Sequence, residues 1–565
     1  MIATLTKEVN TSHDELEKQF NHYWECLTNE QYWYSNKFRV LNHEAGTGKT
    51  LKTFEFFGKM YKEGYNYKIL YVQYFSKDNS LIHTINYIND EAGAQIAGFI
   101  DSRTTKSAYK DAINAQVLCI THAMYREICK GKHKNLIRDR DILVIDEFPN
   151  LYEEFVITKQ DIRELLKFSD LDDNVKKLHD YILRKINENS ISKNKMKIIK
   201  FNDENIHKII KRIYNIVHSR EEKKFLYKFK KLFENVVVLN NNTLYTFENK
   251  TEYKLLKNNI ILDANGGFDY RYQINPIFEV DNQPKVFEYK DSVINFYNLN
   301  TSKTALKKYE DYVFVTLNEI KQTTKQGDKQ LIVIDKENAE KIKEYAKYTF
   351  DWDNVKIDYF GNLVGKNDYR DFNKIWLLKT PNYNFATYIL QYTFYSGKKF
   401  DNRYNLDIVT QNKVTRFKSE ELEKLRQSIL LGEFYQAIKR INRYNTKSSE
   451  INIITNDEVI VNKIKNQFKG IELVNKNISV SFKQNYNTKQ NKSQEAIEKY
   501  KAIILETINQ KQDTISKADI SNQLGLDKSN LHRFFKNEEV IRFNNLYKVN
   551  VLKHYLFIGI KSISI

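Results

Sequence analysis

Phe38-Arg39-Val40-Leu41 leads through Asn42 into His43-Glu44-Ala45-Gly46-Thr47-Gly48-Lys49-Thr50, and a helical pattern follows from Lys49 to about Tyr61. The eight residues from His43 depart from G-x-x-x-x-G-K-[ST] only at the first position, where His43 stands in place of Gly. Gly46 and Gly48 let the backbone bend so that its N–H groups face a phosphate. The start of the following helix adds its positive dipole end. Glu44, Ala45, Gly46, Thr47 and Gly48 are thus the expected cradle for the phosphates of ATP. Lys49 is placed to reach the β- and γ-phosphates, and Thr50 to hold Mg²⁺. The competing reading is an ordinary Gly turn before a helix; an intact Gly-Thr-Gly-Lys-Thr directly after a strand argues against it.

An ATPase also needs a carboxylate that holds metal at the end of an apolar strand. Ile142-Leu143-Val144-Ile145-Asp146-Glu147 supplies one. Asp146 is the expected Mg²⁺ holder and Glu147 the group that polarises the attacking water. Further strands are expected at Tyr67–Tyr74, Gln116–Thr121, Asn259–Asp263, Gln330–Asp335, Lys374–Leu378 and Glu450–Thr455. Helical stretches such as Lys77–Asn89 lie between them. Strands that alternate with helices predict an α/β fold with parallel sheets.

The texture divides the chain. Residues 1–35 read as a helical lead-in. Residues 36–150 with 259–285 read as a first α/β lobe that binds ATP, interrupted by a mostly helical insertion at 151–258. Residues 286–475 read as a second α/β lobe, 476–495 as a polar linker, and 496–565 as a separate ordered module. The chain has 565 residues, a formal charge of +18 and 41% hydrophobic residues, enough for several cored domains. Cys26, Cys119 and Cys129 are too few for a disulfide scaffold or a four-cysteine metal or iron–sulfur site. The polar N-terminus lacks a signal-peptide layout, and no apolar run reaches the length of about 20 residues that a membrane span needs. A cytoplasmic protein without membrane association is expected. The basic balance suits a nucleic-acid partner.

Tyr435–Arg443 reads as a helix with Gln436, Arg440 and Arg443 on one face. Two Arg on that face can stabilise charge on a transferring phosphoryl group, and Gln can bond the γ-phosphate. The plainer reading is a solvated basic face. With these residues in view, the chain resembles the superfamily 2 helicases, ATP-driven translocases with two RecA-like lobes, over roughly residues 38–456. His43–Thr50 resembles their motif I. Asp146-Glu147-Phe148-Pro149 resembles motif II, with Phe-Pro in its last two places. Thr121-His122 matches motif Ic weakly. Leu262-Asp263-Ala264-Asn265-Gly266-Gly267 stands where motif III is expected, with Asn265 in place of the usual Thr. Gly361–Asp368 resembles motif V, and Gln436–Arg443 motif VI, with Lys439 where Gly is usual. The resemblance implies that Gln436, Arg440 and Arg443 join Lys49 and Glu147 in catalysis, the two Arg acting as fingers across an interlobe cleft. It implies coupling roles for Asp263, Ala264, Asn265, Gly365, Asn367 and Asp368. An insertion between motifs II and III also occurs in iron–sulfur helicases related to bacterial DinG, a distant likeness without their cysteines. The segment Gly361–Asp371 is similar to helicases of phages and mobile elements, which implies replication or repair as the setting.

Lys223, Lys224, Lys228, Lys230 and Lys231 with Phe225, Tyr227 and Phe229 suit a single strand, although an amphipathic helix facing a core reads the same way. Near the C-terminus, Ile515–Leu526 reads as a helix ending in a Gly turn, and Asp527–Phe535 as a second helix capped by Asp527 or Ser529. Helix, turn, helix is the arrangement that enters a major groove. Lys528, Ser529, Asn530, His532 and Arg533 are the expected DNA contacts, with Glu539–Val549 as a β-wing. This module resembles winged-helix DNA-binding domains. The expectation is an ATP-dependent DNA helicase or translocase acting on single-stranded DNA, with duplex DNA and replication proteins as further partners. Two other readings stand beside it: an ATP-switched DNA-binding regulator without unwinding activity, and a helicase-like subunit that hydrolyses little.

Overall fold

A computed structural model describes residues 13–558 apart from 75–79, 102–103, 190–194, 310, 347–353, 364–367, 399–405, 483–487, 511 and 547. Residues up to Val480 form one compact unit and Ser481 onward a second.

The first unit holds two all-parallel sheets. Across the first run Phe278–Asp281, Phe38–Leu41, Asn258–Leu262, Ile142–Asp146, Ile69–Gln73, Val117–Thr121 and Ala97–Phe99. Across the second run Val355–Tyr359, Gln330–Ile334, Lys374–Leu377, Glu450–Thr455, Val293–Asn298 and Glu472–Lys476. The central strands are apolar runs buried along their whole length, as in Ile69–Gln73 and Gln330–Ile334. Helices cover both faces of such sheets, so neither face of the strand can be polar. The two lobes are RecA-like. Residues 282–292 pass from one sheet to the other.

The insertion contributes helices at Lys159–Glu164, Val175–Glu188, Glu204–Ile216 and Arg220–Glu234. It also holds an antiparallel sheet ordered Glu154–Ile157, Thr243–Phe247, Val237–Asn240, Met196–Ile199, which the sequence reading did not contain. Its strands are only four or five residues long, so their alternation is faint. In the Lys-rich helix Arg220–Glu234, Leu226, Phe229 and Leu232 are buried in the insertion's own core. Lys231 is buried too, paired with Glu234 at 2.9 Å and Glu248 at 2.7 Å.

Helix Phe385–Ser396 follows from the second sheet yet packs on the first lobe. No residue along it is exposed, and Tyr388, Ile389, Tyr392 and Tyr395 share a core with Phe148, Tyr152, Phe247, Tyr272 and Phe278. Asn384 caps it by accepting from Ala386 N, and also accepts from Asn240 Nδ2 of the insertion at 2.9 Å. Helix His13–Thr28 packs beside the helix Lys49–Lys62, with Tyr23 and Trp24 against Phe56.

In the second unit, helices span Thr488–Asn509, Lys517–Leu524, Lys528–Phe534 and Glu538–Leu546. The first of these begins inside the stretch read as a linker; residues 483–487 of that stretch lie outside the described residues. Glu539–Val549, expected as a wing, is helical to Leu546: Val540 and Phe543 recur at i and i+3 and are buried. The strands come later, in an antiparallel sheet ordered Thr514–Ser516, Tyr555–Ile558, Val549–Val551.

Candidate nucleotide site in the interlobe cleft

The C-terminal ends of three neighbouring strands of the first sheet carry the site. Leu41 runs into the glycine-rich loop His43–Thr50, Leu262 into Asp263, and Ile142–Ile145 into Asp146-Glu147. Ligands of open parallel sheets bind outside these ends. Gly46 has φ +96 and Gly48 φ +84, left-handed conformations that side chains with a Cβ rarely adopt. Gly48 is the N-cap of the helix Lys49–Lys62, so the first N–H groups of that helix open toward the loop.

Thr50 Oγ1 donates to Asp146 Oδ2 at 2.9 Å, and Tyr71 Oη to the same oxygen at 3.4 Å. His122 Nε2 donates to the Asp146 carbonyl at 2.8 Å; burial pushes this imidazole down to about 4, so it is neutral and its proton sits on Nε2. A hydroxyl and a carboxylate oxygen converging at the phosphate loop are hard donors that fit Mg²⁺ shared with a nucleotide.

Glu147 has φ +71 and donates its backbone N–H to the Leu262 carbonyl at 3.0 Å, which aims its side chain out of the strand. Burial raises its carboxyl to about 7, and the Arg440 guanidinium, with Nη2 at 3.9 Å from Oε1, opposes that rise. Asp263 is buried and raised by that burial; it accepts from Tyr272 Oη at 2.8 Å and from Asn265 N at 2.9 Å. Those bonds fix the turn that brings Ala264 and Asn265 to the cleft wall.

Opposite stands the end of helix Glu420–Ile438. The sequence predicts a helix through Arg443, but the helix stops at Ile438. Arg440 N and Ile441 N bond to the carbonyls three residues back. Asn442 N then donates to Phe372 O at 2.8 Å and Arg443 N to Arg370 O at 3.1 Å. Asn442 has φ +39, and its side chain bonds the Lys447 carbonyl and Ser449. Gln436, Arg440 and Arg443 still meet on one cleft, brought there by a turn and not by helical spacing. The cleft is about 470 Å³ and is lined from both lobes, by Ala45, Gly46, Gly48, Lys49, Thr50, Asp146 and Glu147 on one side and by Gln436, Arg440 and Arg443 on the other.

No family model matches the sequence. No curated protein matches it either. Among solved structures, the chain is similar to Xpd4 of S. tokodaii at 13% identity and a TM-score of 0.48, over 82% of this chain and 100% of that one. It is similar to Dbp5 of S. cerevisiae bound to RNA and ADP BeF3 at 10% identity and a TM-score of 0.35, over 82% and 93%. It is also similar to the helicase Lhr of Mycobacterium smegmatis bound to ssDNA and AMP-PNP, at 8% identity and a TM-score of 0.37, over 93% of this chain and 57% of that one.

Other expected residues lie elsewhere. The Glu44 carboxylate turns away from the cradle into the second lobe's chain, and Thr47 Oγ1 donates to the Glu44 carbonyl at 2.8 Å. Asp368 is exposed outside the cleft lining, and Gly365 and Asn367 lie outside the described residues. Sequence reasoning missed Gln73, Arg370 and Lys439, which also line the cleft. Gln73 had a signal, since it ends a central parallel strand; Arg370 had none. In the second unit, Asp527 caps its helix by accepting from Ser529 N and Asn530 N, and also takes Ser529 Oγ at 3.0 Å and Asn530 Nδ2 at 2.8 Å. Ser529, Asn530, His532 and Arg533 are exposed, while Leu531 and Phe534 are buried. Lys528 is the first residue of that helix. Among the described residues no helix is long and apolar enough to cross a membrane.

Proposed function

We propose that the chain is an ATP-dependent DNA helicase or translocase, with ATP held between the two lobes. One observation carries the reading: Arg440, on the turn that follows the second lobe's helix Glu420–Ile438, stands 3.9 Å from Glu147 at a strand end of the first, beside the Thr50–Asp146 pair. Hydrolysis that needs groups from both lobes is hydrolysis that depends on their closure, which is how chemistry becomes movement. Gly46 to Thr50 cradle the phosphates and Lys49 neutralises the β and γ oxygens. Glu147 accepts a proton from the attacking water, which its raised carboxyl suits at neutral pH. Arg440 and Arg443 stabilise charge on the transferring group, and Gln436 orients it. Mg²⁺, held by Thr50 and Asp146, supplies further neutralisation on the phosphates when bound.

DNA is favoured over RNA by the C-terminal helix pair, whose second helix presents His532 and Arg533 to solvent behind a Gly525 turn at φ +63. A replication or repair setting, in a phage, plasmid or mobile element, belongs to the same proposal. The regulator reading needs no second lobe, so the six-stranded second sheet counts against it.

The test is ATP hydrolysis with and without single-stranded DNA, duplex DNA and RNA, with Lys49→Ala and Arg440→Ala beside the wild type, followed by strand separation. Stimulation by single-stranded DNA, lost in both variants, is expected. Hydrolysis that ignores DNA, or that survives Arg440→Ala, overturns the proposal and favours the regulator.

A further inference from the structure

The phosphate loop holds more than phosphates. Its first residues grip the passage between the lobes. Asn42 Nδ2 donates to Asn282 Oδ1 at 3.2 Å, and Asn42 Oδ1 accepts from Gln283 N. Glu44 is 1% exposed. Its Oε2 accepts from Val286 N at 3.1 Å and from Phe287 N at 3.2 Å. Its Oε1 accepts from Tyr289 Oη at 2.9 Å and lies 3.6 Å from Lys439 Nζ. Lys439 also donates to Tyr289 Oη and lies over the rings of Phe287 and Tyr289 at 4.7 and 5.1 Å. Tyr289 belongs mechanically to the second lobe: its N–H bonds the Lys469 carbonyl at 2.8 Å, and its ring meets Phe468 at 5.0 Å.

Lys439 is the C-cap of helix Glu420–Ile438 and the first residue of the turn that carries Arg440 and Arg443. A single buried carboxylate therefore binds three things at once: the loop it belongs to, the interlobe passage, and the root of the arginine turn. A buried carboxylate is tolerated where its oxygens are filled by donors and a cation, and here both conditions come from across the cleft. Burial pulls the Lys439 ammonium down to about 8, so Glu44 is also what keeps that site charged.

We propose that Glu44 is a positioning residue, a clasp that sets where the Arg440–Arg443 turn stands relative to the phosphates held by Gly46–Thr50. This rests on the reading of the cleft as an ATPase site. Glu44 itself does not line the cleft, so its loss displaces the arginines without emptying the cradle.

The experiment compares wild type, Glu44→Gln, Tyr289→Phe, Lys439→Met and the double Glu44→Gln/Lys439→Met. Three quantities are read on the full chain: ATP turnover, equilibrium affinity for AMP-PNP, and the change in interlobe distance that AMP-PNP induces, reported by a fluorophore pair. Glu44→Gln is expected to lower kcat about 10²-fold, the loss attached to a misplacement of the order of 1 Å, with affinity for AMP-PNP unchanged. The double variant, which removes both members of the Glu44–Lys439 pair, is expected to recover most of kcat. Affinity that falls while kcat holds overturns the clasp and returns Glu44 to the phosphate cradle. If Glu44→Gln fails to fold, Tyr289→Phe and Lys439→Met decide, and wild-type kcat and wild-type distance change in both overturn the proposal. Absence of wild-type hydrolysis refutes the ATPase reading; the distance change, altered or unaltered by Glu44→Gln, then still decides the clasp.

Discussion

Gly46→Ala and Gly48→Ala separate two properties of the loop His43–Thr50 that are otherwise inseparable: its own backbone conformation and its contact with the arginine turn. Both glycines have positive φ, so both substitutions carry backbone strain of about 1–2 kcal/mol. Their surroundings differ. A Cβ on Gly46 would stand 2.0 Å from the Arg443 carbonyl oxygen, whereas a Cβ on Gly48 meets nothing within 4 Å. Ordinary contact between such atoms begins at 3.4 Å, so Gly46→Ala must drive the Arg443 backbone and the loop apart by more than an ångström. Neither partner can yield cheaply, because the backbone alone sets where the Cβ stands, the atom it meets is a main-chain oxygen, and Arg443 N is fixed to Arg370 O. Overpacking of this kind costs about 1–3 kcal/mol, and a displacement near 1 Å in a catalytic group costs roughly 10² in rate. Single-turnover ATP hydrolysis and nucleotide affinity measured side by side give the contrast. Gly46→Ala should lose roughly 10²-fold in the chemical step, beyond whatever both variants share in affinity through strain. Equal losses in the two variants, or Gly46→Ala hydrolysing at the wild-type rate, would refute the contact between loop and arginine turn.

Four further outcomes are expected. Glu147→Gln should keep AMP-PNP binding and lose about 10²–10⁴ in hydrolysis, the usual share of a general base, read by phosphate release. Arg533→Ala should weaken duplex DNA binding and reduce the slope of log affinity against log salt by about 1, read by anisotropy titrations at several salt concentrations. His22 is raised to about 10 by its 2.6 Å hydrogen bond to Asp281, so its contribution to stability is complete below pH 6.5 and is lost as pH rises through about 10; thermal unfolding across that range should fall more steeply in wild type than in His22→Gln. Tyr395→Phe deletes the 2.8 Å bond to Asn150 Oδ1 and should cost about 1 kcal/mol in chemical denaturation, the typical net worth of a hydrogen bond.

The strands that build the cleft were legible because each is a short unbroken apolar run, and Ile142–Asp146 or Gln330–Ile334 fits the buried middle of a parallel sheet. Caps were legible for a similar reason: Asp527 accepts from N–H groups two and three residues on, a bond written in local sequence. Legibility ends where partners are distant. Tyr435–Arg443 looks helical, and only the carbonyls of Phe372 and Arg370, about 70 residues earlier, take its N–H groups away from the helix. Glu44 sits in a phosphate-binding pattern, yet its donors come from residues 286–289, more than 240 positions along the chain. The Val540 and Phe543 spacing that decides for a helix was readable, and was outweighed by the expectation of a wing.

Helix Phe385–Ser396 bears on how the protein can be dissected. It arrives from the second sheet but completes an aromatic core of the first lobe, and its capping Asn384 is bonded to the insertion. A fragment cut near residue 285 would leave Phe148, Tyr152, Phe247, Tyr272 and Phe278 facing water, a contiguous apolar surface of the kind that drives self-association. Half-molecules of this protein are therefore poor reagents, and expression trials should vary the ends of the chain and leave its middle whole. The same helix ties the lobes at a second place besides residues 282–292, so any parting of the two sheets there would have to expose the core that Tyr388, Ile389, Tyr392 and Tyr395 fill.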